Sequence, residues 1–138
     1  MIDAKLLHES FSLGKLSLCH LLFKNDTRFP WIILVPDVPH IIDFDELNQR
    51  QQHQACDDIT HTSLAIKALW PIDKINIATL GNIVSQCHIH VVGRRVDDCL
   101  WPQPIWGLGT CAPYDPADVP HLLKRLCAQL HLPPLTKA

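Results

Sequence analysis

The chain lacks any apolar stretch long enough to cross a bilayer. Its longest uninterrupted apolar run covers residues 32–36, with Trp31 in front, against the roughly 18 residues a span needs. Residues 1–10 (MIDAKLLHES) hold acids and no apolar signal core, so export is not expected and a cytoplasmic location is. No block of five or six like charges occurs, and the net charge is −2 with His neutral. Clustered Lys and Arg are what neutralise a phosphate backbone, so a nucleic-acid polymer is a poor partner for this chain. There is no internal repeat and no low-complexity stretch. There is also no CxxC pair among Cys19, Cys56, Cys87, Cys99, Cys111 and Cys127. In a reducing compartment these read mostly as small buried apolar residues rather than disulfides.

What is present suits one globular domain. The 138 residues are 47% hydrophobic and 19% charged, enough for a single core and too apolar for a disordered chain. Eleven prolines punctuate the chain, and nine histidines have to be sorted. Residues 3–10 read as a short helix closed by Gly14. Residues 16–23 (LSLCHLLF) and 31–35 (WIILV) read as two strands of an antiparallel hairpin, the second buried on both faces. Asp43 and Glu46 form a capping-box pattern, and no Gly or Pro interrupts residues 44–69, which predicts a long amphipathic helix ended by Pro71. Two more strands follow at Lys74–Ala78 and at residues 84–93, then a proline-rich stretch, then a helix over residues 120–130. The order predicts an α+β class, with residues 1–110 as the domain and 111–138 as an extension packed on it.

The segment Gln86-Cys87-His88-Ile89-His90-Val91-Val92 carries the chemistry. In a strand, residues two apart share a face, so Gln86, His88 and His90 would project together and Cys87, Ile89 and Val91 would face a core. The polar row spans about 13 Å, enough for a phosphate to lie across it. One neutral imidazole can act as a nucleophile toward phosphorus, and its neighbour can hydrogen-bond the leaving group. The Gly81-Asn82 turn before the strand could add backbone N–H groups and an amide for phosphate oxygens. A second reading makes His88 and His90 metal ligands, with a third drawn from His20 or His40. A third treats them as surface residues. His53, His61, His121 and His131 read as solvated.

This segment resembles the signature of the histidine-triad (HIT) superfamily, His-φ-His-φ-His-φ-φ with φ apolar, with Gln86 in place of the first histidine. The likeness extends to Ile33-Leu34-Val35-Pro36 followed by His40-Ile41, to Asn76, and to Trp101-Pro102, covering residues 16–107. It is similar to a bacterial branch carrying Leu-Gly-Asn, then Gln-x-His-x-His, then Trp-Pro. The resemblance implies an antiparallel sheet of four to five strands with one long helix and a C-terminal loop and helix. It implies a nucleotide α-phosphate hydrolase or nucleotidyl transferase acting on a nucleotide or dinucleotide without a cofactor. His88 would form the nucleotidyl intermediate, His90 would assist the leaving group, and Gln86 would hydrogen-bond phosphate or orient His88. Asn25 or Asp26 would hold ribose, and Asn76, Gly81, Asn82 and Trp101 would complete the substrate site. It also implies a homodimer, with Trp101 and Trp106 expected near its interface. The alternative in a different class is a nucleotide-binding module with little activity.

Overall fold

A computed structural model describes residues 1–135; residues 136–138, the end of the expected extension, lie outside the described residues. The elements run α1 (Ala4–His8), β1 (Ser10–Lys15), β2 (Cys19–Lys24), β3 (Trp31–Pro36), α2 (Gln49–Leu69), β4 (Lys74–Ala78), β5 (Ile89–Arg94) and α3 (Val119–Gln129). The strands form one five-stranded sheet in the order β1-β2-β3-β5-β4, with every pairing antiparallel. This is the α+β class expected from the element order. Rich in β-branched and aromatic residues, β3 takes the central place, and all six of its residues are buried.

Alternation along the central strands builds two different cores. Ile32, Leu34, Ile89 and Val91 face α2 and α3, where they pack with Ile66, Leu126 and Leu130. Trp31, Ile33, Val35 and Val92 face the other way, onto Leu6, Phe29, Val84 and Ile105. Among the described residues no long helix covers that second face. It is roofed by α1 and by loops, and the period-2 alternation of β5 delivers its polar side chains there.

Asp58, buried midway along α2, locks the helix to the β1–β2 turn. Its carboxylate accepts N–H bonds from Ser17, Leu18 and Cys19 at 3.1, 2.9 and 2.9 Å. A buried carboxylate is tolerable when backbone donors surround it in this way.

Several boundaries differ from the sequence expectation. Residues 10–15 form β1 instead of ending a helix, and Gly14, at φ 121°, sits at a bulge in the β1–β2 pairing. The Asp43–Glu46 capping box exists but closes only a 3-10 turn over Phe44–Glu46. A second box, Asn48 with Gln51, starts α2 five residues later than expected. The strand expected over 84–93 is confined to Ile89–Arg94, because the Cys87 N–H leaves the ladder and donates to the Ile41 carbonyl at 2.9 Å. All six cysteines are free, but only Cys19, Cys87 and Cys127 are buried; Cys56, Cys99 and Cys111 are exposed.

Candidate active site

His88 stands immediately before β5 and His90 is its second residue. Both are buried at 6–7% exposure, and both line a cavity of about 430 Å³ on the loop-covered face of the sheet. Ile89 between them points into the α2 core, as period-2 alternation requires. The two imidazole centroids lie 4.9 Å apart with the rings nearly perpendicular, at 73°.

Their hydrogen bonds assign the two rings different roles. Nδ1 of His88 lies 2.7 Å from the Gln86 backbone carbonyl. A carbonyl only accepts, so this nitrogen carries the proton and Nε2 keeps a free lone pair in the neutral ring. Nδ1 of His90 instead accepts from the Trp31 indole N–H at 3.0 Å. An indole only donates, so in neutral His90 the proton sits on Nε2. The pair therefore presents one nucleophilic nitrogen and one N–H donor.

His90 is held neutral. Burial lowers its pKa to about 3, helped by the neighbouring His88 and by the Lys24 ammonium. Its ring is flanked by Trp31 and Trp106, at centroid distances of 5.6 and 5.5 Å. Lys24 lies 5.3 Å from the Trp31 ring centroid, and its Nζ donates to Glu9 at 2.6 Å. That hydrogen bond holds the Glu9 carboxyl below its ordinary range.

Besides Lys24 of β2 and Trp31 and Ile33 of β3, three further parts of the chain wall the cavity. Lys5, Leu6 and Glu9 belong to the N-terminal segment, Leu80 to Val84 follow β4, and Trp106 and Gly107 come from the proline-rich loop. Gly81 adopts φ 79°, a conformation that favours glycine, and turns the chain so that Asn82 reaches the wall. Gly81 and Asn82 are thus gathered with His88 and His90.

Other sequence-nominated residues go elsewhere. The Gln86 side chain turns away from the histidines and lines a separate cavity of about 490 Å³ with His20, Asp37 and His40. It lies outside β5, so strand alternation no longer governs its direction. Asn25 accepts the Tyr114 N–H at 2.8 Å. Asp26 is fully buried and binds the Arg28 guanidinium; burial opposes its ionisation, but the hydrogen bonds from Arg28 outweigh this and lower its pKa. Asn76 accepts from buried Arg94 at 3.0 Å, and Trp101 lies against the same guanidinium, 5.5 Å from centroid to Cζ. None of these four lines the histidine cavity. His20 pairs with Asp37 at 3.3 Å, and no group of three or more His, Cys, Asp or Glu side chains among the described residues could hold a metal ion.

Trp31 belongs to the first hairpin, whose aromatic and apolar residues the resemblance implies as a base pocket, and it shares a strand face with Ile33, which pairs directly with His90. Trp106 and the N-terminal segment are not among the site residues the sequence points to. Trp106 and residues 5–9 reach the cavity by long-range packing and leave no such pattern.

Residues 7–97 match the family described as the HIT domain. Among solved structures the chain is similar to a histidine triad protein of Bradyrhizobium japonicum, at 33% identity and TM-score 0.90 over 94% of this chain and 97% of that one. A histidine triad protein of Marinobacter aquaeolei is 34% identical, with TM-score 0.91 over 95% and 96% of the two chains. One from Sinorhizobium meliloti is 34% identical, with TM-score 0.89 over 94% and 96%. No curated protein matches.

Proposed function

Since the chain belongs to the HIT domain family, whose members are in general nucleotide-binding hydrolases and transferases, we propose that it is a nucleotide α-phosphate hydrolase or nucleotidyl transferase working through His88. The observation that carries this reading is the His88 Nδ1–H bond to the Gln86 carbonyl, which leaves Nε2 as a lone pair beside the His90 donor. In the first step Nε2 attacks the α-phosphorus. A nitrogen–phosphorus bond forms, the bond from phosphorus to the leaving group breaks, and the leaving group departs with that electron pair. His90 Nε2–H donates a hydrogen bond to the departing atom or to a phosphate oxygen, a role supported by its place in the same cavity. In the second step water, or another acceptor hydroxyl, attacks phosphorus, the nitrogen–phosphorus bond breaks, and the nucleoside monophosphate or its ester is released. Gly81 and Asn82 supply N–H donors for the phosphate oxygens, and Leu6, Trp31 and Ile33 supply apolar wall. Gln86 takes part through its backbone carbonyl. We also infer a cytoplasmic homodimer that needs no cofactor.

The test is to capture the intermediate. Mixing the chain with a nucleoside phosphoramidate and quenching in base should give an enzyme heavier by one nucleotidyl group in mass spectrometry. His88→Ala should abolish that adduct and cut turnover by at least about a hundredfold, while binding of the product monophosphate stays within a few-fold. If the wild type binds the monophosphate but forms no adduct and turns over nothing, it is a nucleotide-binding module instead.

A further inference from the structure

The Gln86 side chain takes hold of the N-terminal segment. Its Oε1 accepts the Asp3 N–H at 2.7 Å, and its Nε2 donates to the Met1 carbonyl at 3.0 Å. A primary amide offers acceptor and donor side by side, the arrangement with which one strand meets alternate backbone groups of another. A neutral imidazole also has one of each, but they point out of opposite sides of the ring, so histidine at this position could not make both bonds. Farther along, Leu6 is 5% exposed and packs in the apolar cluster beneath the loop-covered face. At its far end the segment is tied by the Lys24–Glu9 ion pair. Between these ties, Lys5, Leu6 and Glu9 form one wall of the histidine cavity.

We propose that Gln86 is a positioning residue whose side-chain amide clamps residues 1–9 across the sheet, and that this segment sets substrate affinity as a wall of the His88/His90 cavity. The inference rests on the nucleotide reading above and adds to it a specificity-determining segment. It also accounts for glutamine standing where the triad signature has its first histidine. The bond to be broken lies on the segment and the effect is read in the cavity, so the two ends can be altered separately.

The test uses the full chain and four variants: Gln86→Ala, Gln86→His, Asp3→Pro and Asp3→Ala. Asp3 has φ −54° and ψ 136°, which proline accepts, so Asp3→Pro deletes the N–H that Gln86 receives at a φ proline itself adopts. Asp3 also caps α1 through its side chain, which accepts the Lys5 N–H at 2.8 Å, and Asp3→Ala removes that cap alone. Hydrogen exchange of the Leu7 and Glu9 amides reports on the segment, and the β5 amides report that the sheet is intact. Binding of adenosine monophosphate reports on the cavity and needs no turnover.

Gln86→Ala, Gln86→His and Asp3→Pro should speed exchange at Leu7 and Glu9 and weaken the monophosphate about fivefold, with KM rising more than kcat falls. Asp3→Ala should do less on both counts. Faster exchange with unchanged affinity would overturn this inference alone, as would a large fall in kcat at constant KM and constant exchange, which would make the Gln86 side chain part of the chemistry. A wild-type chain that binds no monophosphate would overturn the nucleotide reading itself and this inference with it.

Discussion

At the scale of single residues, the burial of His90 ties stability to pH. The unfolded imidazole titrates near 6.5, whereas burial, the neighbouring His88 and the Lys24 charge lower the folded value to about 3. Between those pH values the unfolded chain binds more protons than the folded one. The stability His90 confers is therefore fully present above about pH 6.5 and is lost as pH falls toward 3. Protonation would also place a hydrogen on Nδ1 and abolish its bond from the Trp31 indole. Urea unfolding at pH 7.5 and 4.5 should show a stability loss smaller by about 2 kcal/mol in His90→Gln than in the wild type. Glutamine cannot titrate but can still accept from Trp31. Equal losses in the two proteins would mean that folding does not lower the His90 pKa.

Among the elements, the packing of α2 on β5 decides how rigidly the two histidines are held. Gly93, near the end of β5, is the point of closest approach. A Cβ built there would stand 2.7 Å from Pro30 Cγ and 3.0 Å from the Cγ2 atoms of Ile66 and Ile72. Two of these neighbours are β-branched and the third is a ring, so none can swing aside cheaply. Gly93→Ala should therefore destabilise the chain by about 1–3 kcal/mol through overpacking, read as a lower Tm. Its activity per folded molecule should fall as well, because β5 carries His90 and adjoins His88. An unchanged Tm would show that α2 can shift without cost.

At the scale of the whole molecule, the sheet has an open edge: among the described residues β4 has no outer neighbour, and its side chain Ile77 is 52% exposed. Leu80 and Ile83, in the loop that follows, are 47% and 84% exposed. An uncovered edge with apolar side chains invites strand pairing, which a second copy could satisfy beside the cavity wall that Leu80 and Ile83 also form. Light scattering at micromolar concentration should give about twice 15.6 kDa, and Ile83→Asp should shift the population toward the monomer. A single 15.6 kDa species in the wild type would exclude the dimer. Trp106, expected near that interface, is half-buried, with its ring centroid 5.5 Å from that of His90 in the cavity wall.

Much of the site was readable from local patterns, because local patterns are what strands and helices obey. The run WIILV marks a doubly buried strand, the unbroken stretch before Pro71 marks α2, and the spacing of His88 and His90 puts them on one side of β5. The likeness to the histidine-triad signature rests on that same short segment. Alternation lost its force where the ladder stopped: Cys87 bonds to Ile41, and one residue earlier Gln86 points to a different cavity from the histidines. The capping box at Asp43 was genuine, yet the chain turns extended at Leu47 and the box closes only a 3-10 turn. The direction of Gln86, the proton on each imidazole and the wall around them depend on Met1, Asp3, Trp31 and Trp106, which meet the site from 16 to 85 positions away or from a distant loop. Backbone periodicity carries information over a turn or a strand; which remote segment fills the uncovered face is decided by burial and hydrogen-bond satisfaction in the folded whole.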